Sequence, residues 1–231
     1  MPVTDLPDAV TGPAAHALAA GRAVILPNPS PLTYVAAAVD PRAVNEAKAR
    51  PADQEVALWV HSDTTWAALA PALDLTPTAL TRAFDLLRRE LVTLLVPVRT
   101  EVPPPVWALP ALRDGHVLLF GARWQPLAAL LARFPRLYVS SANRTGHAPA
   151  ANVAEATAMF GPGIPVTDAD HLRDTSAPHA ATTMLRAHRP RRHPDPRPPR
   201  SPGPDPRPGP GRLHGPPDRA DLSTAHRRPD S

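Results

Sequence analysis

Short apolar runs alternate with segments of helical spacing along the first 185 residues of the chain. The apolar runs are rich in branched aliphatic residues, which favour buried strands, and they occupy residues 23–26, 33–39, 56–60, 92–96, 117–120, 137–139 and 182–185. Helical spacing and capping residues predict helices over residues 8–20, 41–48, 63–70, 76–90, 125–133 and 152–160. This alternation indicates a single α/β domain, and the short helices favour a twisted mixed sheet flanked by helices over a purely parallel one.

Two proline-rich stretches interrupt this pattern. Residues 27–31 read Pro-Asn-Pro-Ser-Pro. Because proline fixes φ and has no amide hydrogen, this stretch predicts a rigid loop rather than a strand. Residues 102–110 are also rich in proline and contain Trp107, which predicts a loop that packs against the core.

The chain changes character after Leu185. Thirteen prolines fall between Pro190 and Pro229, with few bulky aliphatic residues among them. Such a segment cannot bury a core, so we expect one folded domain over residues 1–186 and a disordered Pro/Arg-rich tail over residues 187–231. The tail composition suits RNA, an anionic surface or a module that reads polyproline helices. It equally fits a tail without a specific partner, or a GC-rich reading frame translated out of register.

Charge divides unevenly between these two parts. Residues 186–231 contain eleven Arg and five Asp, a net charge of +6, whereas the whole chain carries +4, which leaves −2 for residues 1–185. The body therefore offers no basic surface for nucleic acid. Cysteine is absent, which excludes disulfides and thiolate metal sites. No run approaches the roughly 20 apolar residues that cross a bilayer, and we expect a cytoplasmic protein without a membrane partner.

The most informative stretch is residues 137–146, which read Leu-Tyr-Val-Ser-Ser-Ala-Asn-Arg-Thr-Gly. A β-prone apolar run ends here in two hydroxyls, an amide and a glycine. Ligands of open α/β sheets bind beyond strand ends, so these polar residues are candidate ligand contacts. The same residue types also form ordinary turns, and the local sequence does not separate the two interpretations.

Lysine usage singles out a second element. Of the 25 basic residues, 24 are arginine, and Lys48 is the single lysine. Lys48 and Arg50 lie where the helix over residues 41–48 ends before Pro51. Two long cationic side chains can reach a neighbouring cleft from this junction. A surface residue without a special role is the simpler interpretation of Lys48 taken alone.

Together these elements resemble the YrdC-like threonylcarbamoyl-AMP synthase family in motif order and spacing. Residues 48–51, Lys-Ala-Arg-Pro, match the family's K-x-R-P element, and residues 141–146, Ser-Ala-Asn-Arg-Thr-Gly, match its S-A-N-x-[ST]-G element. The resemblance covers residues 15–185. It implies a YrdC-like domain that makes threonylcarbamoyl-adenylate and pyrophosphate from ATP, bicarbonate and L-threonine, for the t6A modification of tRNA.

The resemblance also implies roles for individual residues. The residues matched to ATP contacts are Lys48, Arg50, Ser141 and Asn143. The residues matched to threonine or carbamate contacts are Ser30, Thr93, Ser140 and Thr183. No catalytic residue is assigned, because attack of a carbamate oxygen on the α-phosphorus needs positioning and charge neutralisation more than a protein nucleophile. Mg²⁺ would arrive with the nucleotide, and we expect no metal site built by the protein.

The chain departs from the family pattern on the amino-acid side. Where the family reads P-T-D-T-x-Y-G-L, residues 27–34 read Pro-Asn-Pro-Ser-Pro-Leu-Thr-Tyr. Phe120 stands where the family generally has an arginine, and Arg123 is the nearest replacement. The residues matched to ATP contacts agree better with the family pattern than those matched to threonine contacts, so we expect a divergent paralogue.

Three functions stay open on this basis. The first is threonylcarbamoyl-AMP synthesis, and the second is carbamoyl-adenylate chemistry with another acceptor, as in the YrdC-like domains of carbamoyltransferases. The third is a non-catalytic module that binds a nucleotide, double-stranded RNA or a tRNA-modification partner, although the acidic body argues against RNA. No dinucleotide fingerprint, P-loop, nucleophile elbow or paired histidine spacing supports another chemistry.

Overall fold

The structure is a computed structural model and describes residues 5–29, 32–90, 92–121, 124–173 and 182–189. Its helices are α1 (Asp8–Ala19), α2 (Pro41–Ala47), α3 (Asp63–Leu69), α4 (Pro77–Arg89), α5 (Ala128–Leu131) and α6 (Val153–Phe160). Its strands are β1 (Val24–Pro29), β2 (Leu32–Ala38), β3 (Ala57–Trp59), β4 (Thr93–Pro97), β5 (Leu112–Arg113), β6 (His116–Phe120), β7 (Tyr138–Ser141) and β8 (Met184–Arg186). Short 3₁₀ helices span Ala70–Ala72, Val106–Ala111, Gln125–Leu127 and Asp170–Leu172.

The strands form one mixed sheet. Their order is β1-β2-β7-β3-β6-β4-β8, and β5 pairs with β6 beside this path. The pairs β3–β6 and β4–β8 are parallel, whereas the other pairs are antiparallel. The predicted α/β class and the mixed sheet flanked by helices are therefore confirmed.

Helices cover both faces of the sheet because side chains alternate along each strand. On one face, here the α2 face, Ile25 and Leu58 belong to a core that includes residues of α2, α3, α4 and α6. On the other, the α1 face, Val24 and Trp59 belong to a core that includes residues of α1 and α5. Each strand residue is thus assigned to a face by its position in the alternation.

The prediction of a loop over residues 27–31 is wrong for its first three residues. Strand β1 continues through Pro29, and Pro27 and Asn28 pair with Tyr34 and Thr33 of β2. In the described sheet β1 is an edge strand, with one bridge from Ile25 to Val166 on its outer side. An edge strand tolerates proline because the missing amide hydrogen can face away from the neighbouring strand.

The proline-rich stretch over residues 102–110 is not wholly a loop. It leads into the 3₁₀ helix Val106–Ala111, which Pro105 precedes and which contains Trp107. Trp107 packs against the core of the α2 face, and its carbonyl oxygen accepts a hydrogen bond of 2.7 Å from the Tyr138 hydroxyl. The predicted packing of Trp107 is confirmed.

Thr167 places a hydroxyl in the interior without a hydrogen-bond partner in the described part of the chain. Its residue is 1% exposed. Valine has nearly the same shape without the polar atom, so Thr167→Val is expected to raise the free energy of unfolding by about 1 kcal/mol. Urea denaturation of both proteins measures the change, and a loss of stability would contradict the absence of a partner.

The described helices include none that is long and apolar enough to cross a membrane. After β8, the Ala187 amide donates to the Leu95 carbonyl at 2.9 Å, and Arg189 lies 3.5 Å from the Asp74 carboxylate. The rest of the predicted tail, residues 190–231, lies outside the described residues. Its disorder stays a prediction.

Candidate functional site

A cavity of about 240 Å³ opens where β1 and β7 end and where β2, β4 and β8 begin. Its apolar wall belongs to the α1 face and includes Val35, Ala57, Leu118, Phe120 and Val139. Its polar wall consists of Asn28, Thr33, Thr93, Ser140, Ser141 and Thr182, with Glu55 as the one charged residue among the described lining residues. Apolar walls with a few convergent polar groups are typical of small-molecule sites.

Strand register decides which threonine of the last segment reaches this cavity. Met184 of β8 is paired with Thr93 of β4, and both line the cavity. Thr182 lies two residues before Met184 and lines the cavity with it, as the alternation requires. Thr183 is exposed and contributes its carbonyl oxygen to the Thr93 amide at 2.9 Å. The structure therefore places Thr182, rather than the predicted Thr183, in the wall.

Lys48 is held at the end of β7. It caps α2 at its C-terminus and is 5% exposed. Its ammonium group donates hydrogen bonds to the Ser141 carbonyl, to the Asn143 carbonyl at 2.6 Å and to the Asn143 side-chain oxygen at 2.9 Å. Three acceptors match the three hydrogens of a charged lysine. The two sequence motifs of the resemblance therefore touch each other directly.

Burial changes the protonation of Lys48. Loss of hydration, followed by repulsion from the neighbouring Arg50 charge, lowers the pKa of Lys48 to about 8. The ordinary value for a lysine is near 10.4. The Lys48 amine is therefore mostly charged at neutral pH but loses its proton within a pH range that is accessible to experiment.

The turn after β7 is ordered by its own side chains. The Ser141 hydroxyl donates to the Asn143 side-chain oxygen at 2.5 Å, and the Asn143 amide nitrogen donates to the His147 carbonyl at 2.8 Å. The backbone amide of Ala142 donates to the Tyr34 carbonyl at 2.9 Å. With Lys48 bound on one side, Asn143 uses both ends of its amide inside the turn.

Arg50 is engaged by the segment that follows α2. Its Nε donates to the Asn45 side-chain oxygen at 2.6 Å, and its Nη2 donates to the Glu55 carbonyl at 3.3 Å. Asn45 is fully buried and also donates to the carbonyls of Ala52 and Gln54 at 3.0 and 2.7 Å. Burial lowers the pKa of Arg50 from its ordinary value, although a guanidinium remains charged at physiological pH.

Asn45 therefore stabilises the K-x-R-P element and the segment after it through three hydrogen bonds. We expect Asn45→Ala to lower the free energy of unfolding by about 3 kcal/mol, because it removes three hydrogen bonds and leaves two carbonyls and a guanidinium less well paired. Chemical denaturation provides the measurement. Glu46→Ala, at the next and exposed position of α2, serves as the control and should change stability by no more than about 0.5 kcal/mol. Equal effects of the two substitutions would refute this role of Asn45.

The predicted site residues other than Thr183 fall into three groups. Lys48 and Asn143 meet in one network beside the end of β7, whereas Arg50 is bonded to Asn45 and to the Glu55 carbonyl. None of these three predicted side chains is part of the cavity wall. Thr93, Ser140 and Ser141 line the cavity, and Ser141 also joins the network through its carbonyl. Ser30 and Arg123 lie outside the described residues. Lys48 and the cavity are thus neighbours joined by Ser141, the last residue of β7.

Sequence reasoning missed Asn28, Thr33 and Thr182. The prolines on both sides of Asn28 predict a loop and obscure its place on the face of a strand. The signal was present, because Val24, Leu26 and Asn28 follow the two-residue period of a strand. Among the described residues, no group of three or more His, Asp or Glu side chains is arranged to hold a metal ion.

No protein-family model matches the chain, and no curated protein matches it. Among solved structures, it is similar to P. abyssi Sua5 complexed with L-threonine, with 21% identity, a TM-score of 0.49 and coverage of 66% of this chain and 44% of that one. It is also similar to full-length HypF in the phosphate- and nucleotide-bound form, with 12% identity, a TM-score of 0.48 and coverage of 68% of this chain and 24% of that one. The solution structure of the protein MTH1692 from Methanobacterium thermoautotrophicum shows 14% identity, a TM-score of 0.45 and coverage of 80% of this chain and 84% of that one.

The chain spans less than half the length of the Sua5 and HypF structures that it matches. All three identities lie below 25% and all three TM-scores lie below 0.5. Similarities of this size establish no function for this chain.

Proposed function

We propose that this protein is a divergent threonylcarbamoyl-AMP synthase-like enzyme. It would be a nucleotidyltransferase that uses ATP, bicarbonate and L-threonine to form threonylcarbamoyl-AMP and pyrophosphate for the t6A modification of tRNA in the cytoplasm. The observation that carries the proposal is the contact between Lys48 and Asn143, which are 95 residues apart. Each belongs to one of the two motifs on which the family resemblance depends.

The network around Lys48 supports a site for the triphosphate. Lys48 places a positive charge beside Ser141 and Asn143, and the charge of Arg50 is near enough to act on Lys48. Phosphate oxygens are good acceptors for both kinds of cation. The Lys48 ammonium is already saturated by three protein oxygens. A bound phosphate would therefore exchange with one of these partners rather than fill an empty position.

The cavity supports a site for the amino acid and its carbamate. Threonine and asparagine side chains of the wall supply neutral donors and acceptors, and the apolar residues exclude water from the reacting groups. In the proposed reaction a carbamate oxygen forms a bond to the α-phosphorus, and the bond from that phosphorus to the bridging oxygen of pyrophosphate breaks. Mg²⁺ bound to the nucleotide would be part of the substrate and would offset the charge of the leaving group.

Pyrophosphate release by the full-length chain tests the proposal. ATP, Mg²⁺ and bicarbonate are supplied with and without L-threonine, and the adenylate product is identified by mass spectrometry. We expect pyrophosphate release that depends on threonine and on bicarbonate. Binding of ATP by calorimetry without any turnover would instead support the non-catalytic nucleotide-binding module.

A second candidate keeps the adenylate chemistry and changes the acceptor. Phe120 lines the cavity at the position where the family generally has an arginine, and Asn28 stands where the family has a threonine. Both differences affect the wall of the cavity rather than the Lys48 network. ATP turnover that is indifferent to threonine but requires carbamoyl phosphate would favour this candidate.

The protonation of Lys48 predicts how ATP binding depends on pH. Because the pKa of Lys48 is about 8 in the unliganded protein, the amine is increasingly neutral above this pH and attracts phosphate less. Bound phosphate raises the pKa again, so binding takes up a proton and the Kd for ATP should rise by up to about tenfold per pH unit above pH 8. Calorimetry between pH 7 and 9.5 measures this dependence. Lys48→Arg should abolish it, since a guanidinium stays charged throughout.

A further inference from the structure

Glu55 brings a negative charge to the wall of the cavity. The residues after it alternate between the two cores, with Val56 and Leu58 on the α2 face and Ala57 and Trp59 on the α1 face. Continued back from β3, this two-residue period places Glu55 on the α1 face, which is the face that the apolar wall of the cavity occupies. The Glu55 side chain is 38% exposed and is therefore accessible to a ligand.

The protein holds the Glu55 carboxylate only weakly. No described residue donates a hydrogen bond to it, and its ion-pair partner Arg113 lies 3.8 Å away with a side chain that is 68% exposed. Exposed pairs at such distances contribute little to stability. The charge of Arg50 also acts on Glu55, but Arg50 directs its Nε to Asn45 and its Nη2 to the Glu55 backbone carbonyl. The carboxylate oxygens are therefore available to a ligand.

The remainder of the wall offers no cation to balance this charge. Apart from Glu55, the lining residues that the structure describes are neutral, and Leu118, Phe120 and Val139 make much of the wall apolar. An apolar cleft excludes part of the water, so the charge of Glu55 acts on a ligand more strongly than it would in open solvent. A cationic group is attracted to such a cavity, and an anionic group is repelled.

We infer that Glu55 forms an ammonium-binding subsite and that the cavity takes a small ligand with a protonated amine. An ammonium group donates charge-assisted hydrogen bonds to a carboxylate, and the volume of about 240 Å³ limits the body of the ligand to a small molecule. The inference rests on the proposed function only for the role of this ligand, which is the acceptor substrate. In that role Glu55 is a specificity-determining residue that selects acceptors with an amine.

Calorimetry on the full-length chain, at neutral pH and without nucleotide, tests the inference with two matched pairs of probes. L-threoninol is compared with 1,3-butanediol, and L-threonine is compared with 3-hydroxybutyrate. In each pair the second compound lacks the amine and is otherwise the same, and only the second pair carries a carboxylate. The amine should bind about tenfold or more tightly in each pair. Equal binding within either pair, or no binding of either amine, would overturn the inference.

Substitution of Glu55 assigns the preference to its charge. Glu55→Gln keeps the size of the side chain and removes the charge, so the preference for L-threoninol over 1,3-butanediol should fall to about twofold or less. Asp53→Asn is the matched control, because it removes the same charge from an exposed residue outside the cavity wall. It should leave the preference unchanged. A full preference in Glu55→Gln, or an equal fall in Asp53→Asn, would contradict a subsite at Glu55.

The binding test is independent of catalysis. A preference for amines that depends on Glu55, without any pyrophosphate release, refutes the proposed enzyme but keeps the subsite. Threonine-dependent pyrophosphate release by Glu55→Gln with the KM of the parent for L-threonine refutes the subsite alone.

Discussion

Replacing Lys48 with methionine should reduce threonine-dependent pyrophosphate release by about 10- to 150-fold. Methionine keeps the apolar stem of the side chain but removes the ammonium, and a charge-assisted bond to phosphate contributes about 1.5–3 kcal/mol. The Kd for ATP should rise by a similar factor, because the triphosphate would lose the ammonium that lies beside Ser141 and Asn143. Pyrophosphate assays and calorimetry measure the two effects.

Stability separates this role of Lys48 from a purely structural one. The hydrogen bonds to Ser141 and Asn143 are lost in Lys48→Met, but so is the cost of burying an ammonium group, so the free energy of unfolding should change by no more than about 1 kcal/mol. Lys48→Arg retains a cation and serves as the matched control for charge. If Lys48→Met binds ATP as tightly as the parent but unfolds at a much lower temperature, Lys48 is a clamp for the turn and the phosphate assignment is wrong.

Gly121→Ala should strongly destabilise the fold. A Cβ atom at Gly121 would lie 2.4 Å from both the Cα and the carbonyl oxygen of Leu87, and 2.7 Å from its Cβ. Leu87 is fully buried in α4, and the Gly121 amide donates to the Val92 carbonyl at 3.2 Å. Neither backbone segment can move without repacking the α2 face. We expect a loss of about 3 kcal/mol in the free energy of unfolding.

Thermal unfolding measures this loss as a fall of about 6–12 °C in Tm for a domain of this size. Gly12→Ala is the matched control, because Gly12 lies within α1 and nothing approaches the position of its Cβ within 4 Å. Alanine is also the better helix former, so this control should leave Tm unchanged or raise it. A folded Gly121→Ala protein with the Tm of the parent would refute the close approach of α4 to the end of β6.

Elements with a strong local pattern were predicted well. The helix expected over residues 76–90 is α4 (Pro77–Arg89), which begins after Thr76 because the Thr76 hydroxyl accepts from the Ala79 amide at 3.2 Å. The strand expected over residues 117–120 is β6 (His116–Phe120). In both cases the periodicity of apolar residues and the identity of the flanking residues are sufficient to predict the element and its ends, because these signals act within one turn or one strand.

The candidate site was predicted in part. The proximity of Lys48 to Asn143 follows from two motifs that the resemblance connects, and the structure places these residues in contact. The sequence did not predict which residues line the cavity. Thr182 and Thr183 are equivalent in the sequence, and only the register of β8 against β4 assigns Thr182 to the cavity.

The order of helices and strands, the α/β class and the identity of the two polar elements are determined by the sequence itself, because each depends on side chains a few residues apart. Tertiary structure alone decides that β1 runs through two prolines at a sheet edge, that the Lys48 ammonium is bonded by the turn after β7, and that Thr182 rather than Thr183 lines the cavity. These outcomes depend on which strand lies beside which and on the face that each residue occupies. Such relations join residues distant along the chain, and local propensity carries no information about them.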